Sequence, residues 1–152
     1  MAAAGGLLLR DPVSDDEAAW RRLWSGYLTF YKASVPEAVT AATWARQLDP
    51  ASGIFGRVAE RDGEIVGFSV SVVHPGTWTT APVCYLEDLF VAPGHRGHGV
   101  GHALIDDLLG LAKEKGWSRL YWHTEAKNET ARQLYDRYTQ ADGFVRYRVY
   151  LD

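Results

Sequence analysis

The stretch VAPGHRGHGVG, residues 91–101, follows the apolar run VCYLEDLFV at residues 83–91 and precedes the helical pattern ALIDDLLGLA. Glycines at 94, 97, 99 and 101 leave a backbone with few side chains where no core can be packed. The layout is strand, bare loop, helix N-terminus. The first N–H groups of a helix lack intrahelical partners and carry the positive end of its dipole, so the segment is suited to receive a phosphate or another anion. A Walker A loop needs Lys and then Ser or Thr after its last glycine; His102 and Ala103 stand there instead. A dinucleotide fingerprint counted from Gly97 meets His102 where its third glycine belongs. His95, His98 and His102 are close in sequence, but the loop supplies no Cys, Asp or Glu to complete a zinc set, and no metal is expected.

The bulk numbers bound the rest. A chain of 152 residues, 47% hydrophobic and 23% charged, suits one domain, residues 1–152, with its own core. The formal net charge is -3 and no long Lys/Arg run occurs, so nucleic acid is not an expected partner. Cys84 is the single cysteine, which excludes an internal disulfide; its apolar surroundings predict a buried structural thiol in a reducing compartment. The N-terminal MAAAGGLLLRD has no basic residue ahead of its apolar part and is closed by Arg10 and Asp11, unlike a signal peptide. No stretch is long and apolar enough to span a bilayer. A cytoplasmic protein with no membrane partner is expected.

Working outward, GLLLRD reads as a short strand, and Ser14 with Glu17 forms a capping-box pattern opening a helix through EAAWRRLWSGYLTFY. Trp20, Leu23, Trp24, Tyr27, Leu28 and Tyr31 recur at helical spacing; they pack a core, or their exposed end lines a pocket. A second helix follows in VPEAVTAATWARQLDP, with Pro36 suited to its first turn. Strands IFGRVAE and IVGFSVSVV flank Asp62-Gly63, the dipeptide of a tight hairpin turn. After the loop HPGTWTTAP come strand VCYLEDLFV, a helix closed by Gly116, strand RLYWHT, helix ETARQLYDRY and a final alternating strand, FVRYRVYL. The order predicts an α/β fold with a mixed sheet flanked by helices.

The pattern RGHGVG after YLEDLFV resembles the acetyl-CoA-binding motif of the GNAT acyltransferase superfamily. Downstream, YWHTEAKNETARQLYDR is similar to that superfamily's second motif, a strand, then Asn128, then Ala131, Leu134 and Tyr135 along a helix. YLEDLFV is similar to spermidine/spermine acetyltransferases, and the later segment to the small histone and D-amino-acid acetyltransferase branch. One departure is the insertion of DRYTQAD before Gly143-Phe144, which leaves the end of that helix open. The resemblance implies a mixed, mostly antiparallel central sheet with helices on both faces, and N-acetyl transfer from acetyl-CoA to a primary amine by direct attack. The acceptor classes it leaves open are amino acids, small amines, polyamines and protein lysines. A non-catalytic acyl-CoA-binding sensor is the alternative.

The resemblance assigns the pantetheine contacts to the backbone of Leu89, Phe90 and Val91, with Asn128 and Ala131 near the opposite wall. The coenzyme pyrophosphate suits the N–H groups of Gly97, His98, Gly99, Val100, Gly101 and His102. Arg96 either contacts phosphate or is a solvated loop arginine. An alkyl ammonium has a pKa of about 10.4, so direct attack needs a proton acceptor. By resemblance Glu87 is that base, directly or through water, or else a carboxylate that orients substrate. A regular strand points Asp88 to the opposite face, so the two carboxylates are not expected to act as an adjacent pair. Tyr135 matches the general-acid position that protonates the leaving thiolate, with Tyr138 its rival. Trp24, Tyr27 and Tyr31 are candidate acceptor-binding residues. The terminal strand, with Val145, Tyr147, Val149 and Leu151 on one face, predicts a homodimer contact over residues 144–151, unless Arg146 and Arg148 protect the edge of a monomer.

Overall fold

The computed structural model describes residues 2–3 and 6–151, of which residues 2 and 3 are described by backbone alone. The chain divides into two units, Met1–Trp122 and His123–Asp152. The first holds a six-stranded sheet in chain order, β1 (Ala2–Ala3), β2 (Leu7–Arg10), β3 (Ile54–Arg61), β4 (Glu64–His74), β5 (Val83–Val91) and β6 (Arg119–Tyr121). Every neighbouring pair is antiparallel except β5 with β6, which is parallel. With α1 (Glu17–Phe30), α2 (Glu37–Gln47) and α3 (Val100–Lys115), this is the mixed sheet that the element order predicts, and the mostly antiparallel one that the resemblance implies. Among the described residues, no helix is long and apolar enough to cross a membrane.

Alternation along the strands sends apolar residues to both faces. Under α1 and α2 lie Val58, Phe68, Val70 and Phe90, packed with Trp20, Trp24 and Trp44. Leu7, Ala59 and Val66 pack with Val100 and Leu104 of α3 on the other face. The Asp62-Gly63 turn is as expected: both residues have positive φ, 53° and 78°, as a type I′ hairpin requires. Gly116 closes α3 in the left-handed region at φ 73°.

Two local readings change. Ser14 does not cap α1, because residues Ser14–Asp16 form a 3-10 turn and the helix begins at Glu17. The Asp16 carboxylate accepts from the Val13 N–H at 2.7 Å and is gripped by Arg10 through two bonds of 2.8 and 3.0 Å. A charged acceptor fixed by a guanidinium outcompetes a nearby hydroxyl for the same turn. Pro36 sits just before α2 rather than within its first turn.

Two register shifts matter more. Between β3 and β4 the pairing skips Val66, and between β4 and β5 it skips Glu87. Each is a one-residue bulge, which reverses the face of every side chain beyond it. Past the first bulge, Gly67 lies under α3: a Cβ there would come within 2.9 Å of Val100 Cγ1 and 3.1 Å of the Phe90 carbonyl oxygen. Bare backbone on β4 therefore lets the first turn of α3 sit directly on the sheet.

The second unit contains α4 (Glu129–Tyr135), shorter than the predicted helix because residues 136–138 form a turn. The predicted final strand is not formed. Residues 144–151 have no regular structure, and Phe144, Tyr147 and Leu151 are about nine-tenths exposed, at 89, 91 and 92%. Alternating apolarity states that one face seeks cover, but a strand exists only where a ladder partner takes its N–H and C=O groups.

Gly67→Ala tests the seating of α3. The added methyl must push Val100 away from β4, so unfolding in urea is expected to show a loss of roughly 1–3 kcal/mol, as for overpacked cores. A loss under 0.5 kcal/mol would mean that α3 does not depend on that bare position.

Candidate active site

β5 pairs with β4 over most of its length but with β6 only at residues 83–85. Beyond Tyr85, the edge of β5 that faces away from β4 meets no strand among the described residues. Leu89, Phe90 and Val91, the residues expected to offer their backbone to a ligand, lie on this open stretch. A hydrogen-bonding edge inside a sheet is a place for an extended polar chain to lie alongside.

The open edge leads into the glycine loop. Pro93–His95 makes one 3-10 turn, then Gly97 and Gly99 take φ values of 78° and 82°. A side chain at either would be strained by its backbone, although the space around each is open. Gly99 is the N-cap of α3, so the N–H groups of Val100, Gly101 and His102 belong to its first turn. His98 places Nδ1 at 3.1 Å from the Arg96 carbonyl oxygen, and His102 lies 3.4 Å from Asp106. Arg96, exposed on the loop, also makes contacts within the chain. Its guanidinium stacks on the rings of Phe30 and Phe90, at 5.3 and 5.1 Å from their centroids, and its Nε donates to the Val91 carbonyl at 3.1 Å. Among the described residues, no group of three His, Cys, Asp or Glu side chains is placed to hold a metal ion.

The bulge at Glu87 removes the regular alternation on which the expected separation of the two carboxylates rested. Val70 faces Asp88 and Ser71 faces Leu86, so Glu87 is the extra residue, and its charge acts on both Asp88 and the Tyr27 phenol of α1. Glu87 is exposed. Asp88 accepts a 2.7 Å hydrogen bond from the Tyr27 hydroxyl. Burial raises the Asp88 carboxyl to about 7, against the lowering effect of that bond. The same burial, with the Asp88 charge beside it, pushes the Tyr27 phenol far above its usual range.

Tyr27 stands edge-on to Phe68, Phe90 and Tyr31. Tyr31 is 45% exposed at the end of α1. Trp24 is buried, stacked on Trp20, and its indole N–H goes to Thr40 of α2 at 3.1 Å. Of the three candidate acceptor residues, Tyr27 and Tyr31 reach the carboxylate face, while Trp24 supports them from the core.

Sequence reasoning did not anticipate a second polar cluster on the same face, where β5 and β6 part. His74 Nδ1 lies 2.8 Å from the Pro75 carbonyl, which can only accept, so that nitrogen carries a proton. In the neutral ring, Nε2 then accepts from the Tyr121 hydroxyl at 2.8 Å. Tyr121 stacks on Tyr85, its partner in the ladder, with centroids 5.0 Å apart. The partners are far apart in sequence, and no spacing rule links them. In the second unit, Asn128 caps α4, its Oδ1 accepting from the Ala131 N–H at 3.2 Å. Tyr135 is the last residue of α4, and Tyr138 follows in the turn.

The raised Asp88 value fixes the sign of a pH effect. The unfolded chain releases this proton near pH 4 and the folded chain near 7, so burying Asp88 lowers stability as pH rises between them. Asp88→Asn carries no such cost. The variant's stability relative to wild type, measured by urea unfolding, is expected to improve by about 2–3 kcal/mol between pH 5 and pH 8. An unchanged difference across that range would show that Asp88 ionises as freely folded as unfolded.

The comparisons with known proteins agree with this geometry. Residues 18–139 match the model of the acetyltransferase (GNAT) family. The D-amino-acid N-acetyltransferase HPA3 of Saccharomyces cerevisiae is 34% identical over 135 residues, 88% of this chain and 84% of its own. The thialysine N-epsilon-acetyltransferase of Bos taurus is 29% identical over 146 residues, 92% of this chain and 76% of its own. Among solved structures, an aminoglycoside N-acetyltransferase in complex with CoA superposes with a TM-score of 0.77 at 21% identity, covering 98% of this chain and 99% of that one. The chain belongs to the acetyltransferase (GNAT) family.

Proposed function

We propose that the protein transfers acetyl from acetyl-CoA to a primary amine by direct attack. The observation that carries this reading is the continuous path from the open edge of β5 into the glycine loop and the first turn of α3. The pantetheine arm has amides that pair with the backbone of Leu89, Phe90 and Val91, and the pyrophosphate lies against the N–H groups of Gly97, His98, Gly99, Val100, Gly101 and His102. Arg96, stacked as it is, keeps its terminal nitrogens for phosphate. The resemblance gives coenzyme contacts to Asn128, Ala131 and Tyr135, with Tyr135 the donor of a proton to the leaving thiolate and Tyr138 its rival. The acceptor amine enters by Tyr27 and Tyr31 toward Glu87, with Trp24 behind. Two relatives named for acting on amino-acid amines, a D-amino acid and thialysine, favour a free amino acid among the possible acceptors. Cys84, buried and with its thiol pushed up to about 11, is chemically quiet and suits the cytoplasm.

The test is thiol release from acetyl-CoA over a panel of amino acids, polyamines, small amines and lysine peptides, paired with thermal shift. Saturating acetyl-CoA at about 100 times its dissociation constant is expected to add roughly 2.7 kcal/mol to wild-type stability. Gly99→Asp is expected to lose that gain, since a carboxylate repels pyrophosphate and strains the backbone at φ 82°. Binding without turnover on any amine would make the chain an acyl-CoA sensor, and no shift at all would remove the coenzyme site.

Assembly follows from the second unit. Val145, Tyr147, Val149 and Leu151 are 74 to 92% exposed, in an alternating segment that ends the described chain. Such a segment becomes a strand when another edge supplies its ladder, and we propose a symmetric homodimer in which residues 144–151 contribute the contact. Sedimentation equilibrium is expected to show a dimer at micromolar concentration that Val149→Lys dissociates. A monomeric wild type would leave Arg146 and Arg148 as edge-protecting charges.

A further inference from the structure

The one-residue bulge breaks the alternation between two neighbouring carboxylates of β5 whose charges act on each other and on Tyr27, and their surroundings differ. Glu87 is exposed to solvent. Asp88 sits beneath Tyr27, opposite Val70 across the ladder. The ionisable groups that face it are Tyr27 and, behind that ring, Tyr31 from α1, and Glu87 from its own strand; β4 offers only Val70. None of these is a cation. A carboxylate in such a place gains most from a positive ligand brought beside it, and it holds a proton readily once one is delivered.

We propose that Asp88 accepts the proton from the acceptor's ammonium, while Tyr27 holds its carboxylate in place and the exposed Glu87 draws the cation in. The assignment rests on the N-acetyltransferase reading above and divides between two residues the roles that the sequence left to Glu87 alone. In the step itself, an N–H bond of the ammonium breaks, its proton passing to Asp88 and its electron pair remaining on nitrogen. That pair forms the C–N bond at the thioester carbonyl, the C–S bond breaks with its pair on sulfur, and sulfur takes a proton from the general acid, which the second proton shed by nitrogen replaces. Asp88 then gives its proton to water, so each turnover releases one proton overall. A base works best with a pKa near the operating pH, and burial brings Asp88 to about 7.

Kinetics as a function of pH on three variants test the assignment, using the amine that wild type turns over best. Asp88→Asn is expected to lower kcat by about 10² to 10⁴ and to abolish the acid limb of the kcat/KM profile. Glu87→Gln is expected to keep that limb and raise KM with kcat within a few-fold. Tyr27→Phe removes a hydrogen bond that favours the ionised carboxylate, so its acid limb is expected to move to higher pH. An acid limb that survives in Asp88→Asn but vanishes in Glu87→Gln would return the proton to Glu87 and overturn the proposal. Should Asp88→Asn fail to fold, judged by loss of its acetyl-CoA thermal shift, an unmoved limb in Tyr27→Phe overturns it equally. A wild type that turns over no amine is a different failure, that of the acetyltransferase reading itself.

Discussion

β5 is hydrogen-bonded along one side and, on the other, only over its first three residues. That asymmetry generates the site. Backbone N–H and C=O groups are obligatory partners, and a strand in the body of a sheet that leaves several of them open must have them met by water or by a ligand. The open stretch runs straight into a loop whose glycines adopt positive φ and then into a helix N-terminus. A polar chain ending in a phosphate meets matching groups in that order. The bulge at Glu87 falls within the same stretch, next to the Asp88 carboxylate that meets Tyr27 of α1.

The helices bounding the stretch are held to the sheet by two arginines, one at the base of α1 and one midway along α3. Arg10 of β2 grips Asp16 just before α1 and also Glu60 of β3, and Asp16 is held well below the usual carboxylate range by that guanidinium. Arg57 of β3 forks onto Asp107 of α3 through bonds of 2.8 and 2.9 Å, both side chains largely out of solvent. Bidentate geometry fixes direction as well as distance. Along α1 the stack of Trp20, Trp24 and Phe68 then carries that fixed position forward to Tyr27, whose hydroxyl lands on Asp88. Placement of one phenol thus depends on packing begun about two helical turns earlier.

What was readable in the sequence was what is local. The type I′ hairpin at Asp62-Gly63, the αL stop at Gly116 and the strand-loop-helix around Gly99 each rest on a residue whose own backbone preference decides the matter. Misreadings arose where a partner, rather than the residue itself, decides. Ser14 lost the cap because Arg10 holds Asp16 there. Residues 144–151 alternate well, yet alternation names a face and no partner. The bulge at Glu87 left no mark in YLEDLFV, since register is a property of two strands, and with it went the expected separation of Glu87 from Asp88. The Tyr27–Asp88 bond and the His74–Tyr121 pair were invisible for the same reason.

Arg96 makes contacts that its place among glycines does not announce. An arginine among glycines before a helix N-terminus suggests phosphate, because guanidinium forks match phosphate oxygens. Here its planar group also lies on two aromatic faces, one from α1 and one from β5, while Nε reaches the last carbonyl of β5. Such stacking is worth about 0.5–1 kcal/mol at an exposed site. The contact is modest in energy but specific in geometry, since a planar cation meets a ring face while Nε meets a carbonyl. Lysine has no planar face to stack and no Nε–H to spend on Val91 while keeping its charge for a ligand. The loop residue that the coenzyme reading needs is therefore also the one that ties the loop to α1, and the aromatic at position 30 that makes this possible carries no motif of its own.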